Sequence, residues 1–499
     1  MSDMKATVEP TTKGFSVCGY EKIEYDFEFL DGVFNVANVQ LAQCYKPWGR
    51  CLAVMDLNIF NLYGEEMQKY FDHHGITLKI HKTMIGEKAK SMETLLSIVD
   101  SMTEFGIYRK EPVLVVGGGL VTDVAGFACA AYRRNTNYIR IPTTVIGLID
   151  ASVSIKVAVN YGRYKNRLGA YHAPSHTFLD FTFLRTLPKA QIRNGFAELI
   201  KISTCAHRET YELLDGYCEE LIDTAFGRSD GASEEIKTVA DKICRAGIYE
   251  MLKLETPNLH EIMLDRVIAY GHTWSPLHEL VPETPLRHGH AISIDMAYSA
   301  TLAHSRGLLS SEEHKRLLNL FSRAGLSMDH PQFDGPLLEN ATAAILKTRD
   351  GKLRAAVPIT PIGDCVFLND VSHEDMCKAL ETHKEFMKSF PRQGEGLEAY
   401  VDASDTGYTV QGNPVEDGAT KDLPMNSVEN SYLHASGPEG VDGLQSSSSD
   451  EETTNYTLNG RSNGYKDGVG KLSSGLKDKV NGLENHIFTT VSVDSLRGS

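Results

Sequence analysis

A short apolar run, Pro112 to Val116, leads without a break into Gly117, Gly118 and Gly119 and then into the alanine-rich stretch ending at Arg134. A strand that is apolar at successive positions is buried on both faces, which requires helices on both sides and so a parallel, doubly wound sheet. Cys51 to Asp56 repeats the pattern, and Asn137 to Thr144 adds a third strand ending at Thr143 and Thr144. In such sheets ligands bind beyond the carboxyl ends of the strands. The expected fold is therefore a Rossmann-like α/β domain over residues 16–189, preceded by a flexible N-terminus at 1–15.

After about Lys189 helical periodicity takes over. Ser310 stands three residues before Glu313, a capping-box spacing, with Gly325 where that helix should stop; Ser372 opens a second helix in the same way. Residues 190–390 read as a mainly α-helical C-terminal domain, with the active site in the cleft between the halves. From 391 to 499 the chain is rich in Gly, Ser and acid, peaks in bias at Ser446 to Glu452, and reads as a disordered acidic tail. This tail holds 8 Lys and Arg against 17 Asp and Glu, so it carries −9 of the chain's −16. That balance argues against nucleic acid as a partner and leaves room for a basic pocket in the body. Nine cysteines without a C-x-x-C pair read as reduced thiols, and neither a targeting segment nor a membrane-spanning run is evident, so a soluble cytoplasmic protein is expected.

Glycines at the strand-to-helix turn let backbone N–H groups approach a pyrophosphate at the positive end of a helix dipole. The G-x-G-x-x-G spacing is incomplete, because Thr122 takes the last position, and a tight structural turn is the competing reading. Asp56, at the end of its strand, can accept hydrogen bonds from an adenosine ribose and would repel a 2′-phosphate, which favours NAD.

Two glycine-flanked histidines, His272 and His288, offer neutral imidazoles to a metal but need a third donor. Glu198, three residues before Lys201, is a candidate, although spacing alone fits a solvent-facing ion pair better. Between the glycine loop and these residues lie Asp150, Lys156, Lys165 and Asn166; the lysines could hold a phosphate as point charges, or serve solubility alone.

Taken together, GGGLVTDVAGFACAAYRR, RIPTTVIGLIDASVSIKVAVN, KNRLGAYHAP, NGFAELIK, GHTWSP and LRHGHA resemble the sugar phosphate cyclases, the superfamily of 3-dehydroquinate synthase, from about Asp56 to Phe390. The resemblance implies the dehydroquinate-synthase-like fold, a homodimer, NAD, and zinc or cobalt held by Glu198, His272 and His288. It implies that Asp56, Glu87, Lys90, Gly117, Gly118, Gly119, Asp123, Thr143, Thr144, Lys165 and Thr186 face NAD. It further implies that Asp150, Lys156, Lys165, Asn166, Lys201 and Lys352 line the substrate and phosphate site, with Arg134 reaching a partner subunit.

Departures from 3-dehydroquinate synthase narrow the reading. Asp265 stands where that enzyme's arginine reads a substrate carboxylate, so a neutral polyol terminus fits better. Ala269 and Pro276 replace an asparagine and a histidine, and the lost histidine puts the phosphate contacts in question. These changes resemble the branch that uses sedoheptulose 7-phosphate. Its valiolone-forming members carry leucine, aspartate and histidine where this chain has Glu255, Ala269 and Thr348, the set of the gadusol-forming members. The resemblance thus implies a phosphate-eliminating cyclase making demethyl-4-deoxygadusol, the entry to mycosporine-like amino acids, with an O-methyltransferase as the next enzyme. Glu255 would add a base, and Ala269 and Thr348 would reshape the ring's surroundings. A 2-epi-5-epi-valiolone synthase is the nearest alternative, ahead of 3-dehydroquinate synthase or a related metal-dependent alcohol dehydrogenase.

Overall fold

The computed structural model describes residues 4–84, 86–162, 164–263, 269–402 and 405. The Ser446–Glu452 run and nearly all of the expected tail lie outside these residues. The chain opens with a hairpin, β1 (Met4–Thr11) and β2 (Gly14–Glu21), paired antiparallel along its length where a flexible end was expected. Its side chains are exposed, so the sequence carries no burial pattern from which to read it.

The central sheet grows from the apolar runs. After β3 (Asp26–Phe29) and α1 (Gln40–Tyr45), β4 (Arg50–Asp56) leads into α2 (Leu57–His73), and β5 (Thr77–Thr83) into α3 (Met92–Phe105). Next come β6 (Val113–Gly117), α4 (Gly119–Ala131) and β7 (Tyr138–Pro142). An antiparallel hairpin, β8 (Lys156–Tyr161) and β9 (Tyr164–Tyr171), precedes β10 (His176–Leu179). Six strands join in the order β3-β10-β7-β6-β4-β5, all parallel. Side chains alternate across them: Cys51, Ala53 and Met55 of β4 cluster with Tyr63, Met67, Tyr70 and Phe71 of α2 on one face. Leu52 and Val54 cluster with Leu95, Ile98 and Met102 of α3 and with Val121 and Val124 of α4 on the other. Each fully buried Val, Leu, Ile, Met or Phe among them contributes about 1.5–3 kcal/mol relative to exposure.

The second half holds α5 (Lys189–Ala206), α6 (Arg208–Gly216), α7 (Cys218–Asp223), α8 (Glu234–Glu255), α9 (Ser275–His278), α10 (His288–Ser305), α11 (Ser311–Arg323), α12 (Gly335–Thr348) and α13 (His373–Met387). One antiparallel pair, β11 (Ala355–Pro358) and β12 (Cys365–Leu368), interrupts the helices. Ser310 caps α11 by accepting the Glu313 N–H at 3.2 Å, as expected. The Glu313 carboxylate, however, goes to Arg208 and to the Ile362 N–H instead of closing the box.

Two helices form the centre of this half. From Ile192 to Cys205 every residue of α5 is buried, as is every residue of α10 from Gly289 to Ala303. They cross where Gly289 lacks a side chain, since a Cβ there would lie 2.6 Å from Asn194 Cα.

The folded body continues past residue 390, where the tail was expected to start. Met328 N–H bonds to Gly394 O, Leu397 N–H to Gly325 O, and Arg287 N–H to Ala399 O. Arg193 pairs with Glu398 at 2.8 Å, and Arg287 with Asp402 and Asp405 at 2.8 and 2.7 Å. Composition marks this stretch as tail-like, yet partners distant in sequence order it.

Close packing of α5 gives a test. An added Cβ at Gly195 would overlap the Val145 side chain, whereas one at Gly216 meets nothing within 4 Å. Gly195→Ala is therefore expected to cost about 1–3 kcal/mol by overpacking, read as a melting temperature several degrees lower, with Gly216→Ala as a control at or above the parent value.

Candidate active site

Glu198 and Lys201 lie one turn apart on α5, and both are buried, with 1% and 3% of their side chains exposed. Burial overturns the solvent-facing ion pair that spacing favoured. Lys201 Nζ lies 2.6 Å from Glu198 Oε2 and 2.9 Å from Asp150 Oδ2, so it joins the helix to the turn that follows β7. That turn, Gly147–Ala151, is π-helical, and Arg140 holds its end. Fully buried in β7, Arg140 donates to the carbonyls of Ala151, Ser152 and Ser154.

His272 and His288 converge on the same carboxylate. Their Nε2 atoms lie 3.9 and 3.0 Å from Glu198 Oε1, and the candidate donor atoms of the three residues all fall within 4.8 Å of one another. Each ring is oriented through its other nitrogen: His272 Nδ1 is 3.2 Å from Tyr270 O, and His288 Nδ1 is 3.3 Å from Glu279 Oε2. A neutral imidazole with its proton on Nδ1 presents the Nε2 lone pair, so both rings are turned as metal ligands are. Two imidazoles and a carboxylate around one point match a catalytic zinc set with an open fourth position.

The electrostatics agree with that fit. Burial and the Lys201 ammonium push His272 down to about 3, leaving it a neutral ligand. Burial opposes charge on His288 too, but carboxylates at both its nitrogens outweigh it and raise the ring to about 10. A divalent ion would displace that proton. Glu198 is pushed up by burial, yet Lys201 and the two imidazoles outweigh this and hold it well below the usual carboxylate range.

Most of the expected cofactor residues lie at the carboxyl ends of β4, β5, β6 and β7, with Lys165 on β9 and Thr186 after β10. Gly118 caps α4, and a Cβ on Gly117 would lie 2.8 Å from Asp56 Oδ2. Asp56 also caps α2, accepting the Ile59 N–H at 2.9 Å, a role its position as strand end had not suggested. Lys90 pairs with Asp123 at 2.6 Å, and Glu87 accepts from Asn160 Nδ2 at 2.8 Å. Thr143 is buried, Thr144 Oγ1 accepts the Gly147 N–H, and Thr186 bonds to Tyr63 of α2.

The hairpin β8–β9 carries the lysines. Lys156 lies 3.2 Å from Glu255 and 2.8 Å from Glu261, while Lys165 lies 2.7 Å from Glu279 and 3.9 Å from Glu87. Asn166 has φ 52° and donates its N–H to Asn160 Oδ1. Ala269 is buried. Three expected residues stand apart. Thr348 is exposed and turns Oγ1 back to the Ala344 and Ile345 carbonyls of its own helix. Arg134 lines a cavity of about 590 Å³ with Arg109, Ala131 and Arg133, and exposed Lys352 makes no side-chain contact with the metal triad among the described residues. Asp265 lies outside the described residues.

Comparison with known proteins follows the same outline. The model described as 3-dehydroquinate synthase N-terminal matches residues 80–194, and that described as 3-dehydroquinate synthase C-terminal matches 195–349. A demethyl-4-deoxygadusol synthase of Trichormus variabilis is 55% identical over 400 residues, 80% of this chain and 97% of the relative. The chain belongs to the 3-dehydroquinate synthase-like sugar phosphate cyclases. A 2-epi-5-epi-valiolone synthase of an Actinomyces species is 36% identical, over 73% of this chain and 96% of its own. The solved 2-epi-5-epi-valiolone synthase of Streptomyces hygroscopicus, with NAD+ and Zn2+ bound, superposes at TM-score 0.69 with 37% identity, covering 74% of this chain and 99% of its own.

Several supports of this cyclase site escaped sequence reading. Asp295 of α10 accepts the N–H groups of Trp274 and Ser275 at 2.6 and 2.8 Å and so holds the loop that bears His272. Asn194 accepts the Gly289 N–H at 2.9 Å beside His288. An acid inside an apolar helix and an arginine inside an apolar strand were the available signals for Asp295 and Arg140.

Asp295 yields a pH prediction. Burial lifts its carboxyl to about 6 despite the bonds it accepts, whereas unfolded it titrates near about 3.9. The folded state binds the extra proton between those values, so this contribution favours the fold at low pH and is lost as pH rises through about 6. Relative to Asp295→Asn, which has no proton to lose, the parent's melting temperature should improve as pH falls from 7 to 5; a difference that stays flat contradicts the assignment.

Proposed function

We propose that this chain is an NAD- and metal-dependent cyclase that converts sedoheptulose 7-phosphate to demethyl-4-deoxygadusol with release of phosphate. The observation that carries the product is the 55% identity to a demethyl-4-deoxygadusol synthase along 97% of that relative, against 36% for a valiolone synthase.

Glu198, His272 and His288 would hold the metal, and the glycine turn with Asp56 would hold NAD. When bound, the metal supplies a Lewis acid for adjacent substrate hydroxyls and NAD a reversible hydride acceptor. The chain's own groups do the rest. Lys201, kept charged because Asp150 and Glu198 outweigh its burial, presents a fixed positive charge beside the reacting oxygens. Asp150, with 24% of its side chain exposed, is the accessible end of that pair and is placed to take a hydroxyl proton. Lys156 and Lys165 receive the phosphate as point charges. Glu255, only 5% exposed and fixed against Lys156, is the added base for the further loss of water that separates the gadusol core from valiolone. Thr348, turned into its own helix, acts through the shape of that helix end and not through its hydroxyl. Arg134, at φ 72° and without a hydrogen bond or ion pair among the described residues, is the group available to a second copy in a homodimer.

Incubation of the full chain with sedoheptulose 7-phosphate, NAD and zinc is expected to release phosphate without net NADH. By mass spectrometry the product should be one water lighter than valiolone. Glu255→Leu is expected to lower formation of this product at least about tenfold and to shift the remainder toward valiolone. Valiolone from the parent enzyme would instead assign the chain to the valiolone-forming branch.

A further inference from the structure

Glu279, a largely covered acid, meets the His288 ring with one oxygen and has a second oxygen that the roles above leave unused. It follows α9, seven residues after His272 and nine before His288, and its backbone is pinned at both ends: its N–H bonds to Ser275 O, and its carbonyl accepts the Leu286 N–H at 3.0 Å. Its side chain is 13% exposed, and its two oxygens face different partners: Oε2 lies 3.3 Å from His288 Nδ1, and Oε1 lies 2.7 Å from Lys165 Nζ. Lys165 in turn lies 3.9 Å from Glu87, which accepts from Asn160. A continuous polar chain therefore runs from Glu198 through His288, Glu279 and Lys165 to the glutamate beyond β5.

We infer that Glu279 is a positioning residue that couples the metal site to Lys165, one oxygen fixing the His288 ring with Nε2 toward the metal position and the other fixing the ammonium. This rests on the metal-binding reading of Glu198, His272 and His288. The His288 end follows from tautomer chemistry. For Nε2 to donate a lone pair the ring proton must sit on Nδ1, and among the described residues the acceptor there is Glu279. At the Lys165 end, burial of the carboxylate matters. A surface pair at 2.7 Å would exchange freely with water, whereas this carboxylate has little solvent to turn to, so holding the imidazole also sets where the ammonium can stand. A glutamine cannot do both: its carbonyl oxygen can accept from one partner, but its NH2 then faces a second donor.

The test uses full-length protein loaded with zinc, with metal loss to a chromogenic chelator as the readout and circular dichroism to verify folding. Loss of a carboxylate behind a ligand imidazole typically weakens metal binding 10–100-fold, and Glu279→Gln is expected to fall in that range. Glu279→Asp, which keeps the charge on a shorter arm, should fall between the parent and the glutamine variant, and it carries the test if the latter does not fold. Lys165→Met is expected to change zinc retention less than about threefold, and combining it with Glu279→Gln should add nothing, because any influence of Lys165 on the metal passes through Glu279. Parent-like zinc retention in Glu279→Gln, or independent, multiplying losses in the double variant, would overturn the inference. Zinc retention does not depend on turnover of sedoheptulose 7-phosphate. A parent that binds zinc weakly at any strength of chelator sinks the metal-site reading itself, while loss confined to Glu279 variants supports the inference whatever product is made.

Discussion

A carboxylate sealed inside a helical core cannot stand alone, and Glu198 is such a carboxylate. Removing one partner from a buried pair costs about 3–5 kcal/mol because it leaves an uncompensated charge. Lys201 meets that requirement one turn along α5, but it is buried as well and so requires Asp150. On the other oxygen of Glu198, His288 requires Glu279, and Glu279 faces Lys165. Without metal these groups balance, with three carboxylates against two ammoniums and one imidazolium. A divalent ion that displaces the His288 proton would make this group one charge more positive, offsetting carboxylates such as Glu87 beyond Lys165.

Such a centre works only if its members are held from outside it. The supports are buried polar side chains, each on a different element. Arg140 in β7 gathers three carbonyls at the end of the turn that bears Asp150, and Asp295 in α10 gathers the backbone after His272. Asn194 fixes the first turn of α10, and Arg287, adjacent to His288, is clamped by Asp402 and Asp405. The last of these ties the metal site to the segment after α13. Each support is rigid because its alternative is an unsatisfied polar group in a dry interior.

Legibility in the sequence followed the range of the physics involved. Local signals read well: the apolar strand before Gly117, the Ser310 cap and the stop at Gly325 depend on neighbours within a few residues. The triad was legible as residue types in order, whereas its convergence came from the cyclase resemblance. What spacing could not carry was burial. Glu198 and Lys201 present the same i, i+3 pattern whether a helix faces water or core, and only packing against α10 and the Gly147–Ala151 turn decides between them. The hairpin of residues 4–21 is illegible for the opposite reason: its exposed strands leave no burial period. Residues 391–402 have the composition of a linker, while the partners that order them, Ser327, Arg193 and Arg287, lie far back in the chain.

The same distinction between local type and buried environment bears on the product. Lys156 has two carboxylates to choose from, and they differ in freedom. Glu255 ends α8 and is 5% exposed; Glu261 is 21% exposed and sits at φ 51° in the stretch that follows, so under the proposed function it is the one of the two that an incoming phosphate would displace. With the leucine of the valiolone-forming branch at position 255, Lys156 would meet the phosphate at full charge with no base beside it, and its work would end with the departing group. With Glu255 fixed there, the proposed departure of phosphate would leave a paired ammonium and carboxylate, an acid and a base available when a second leaving group must be lost.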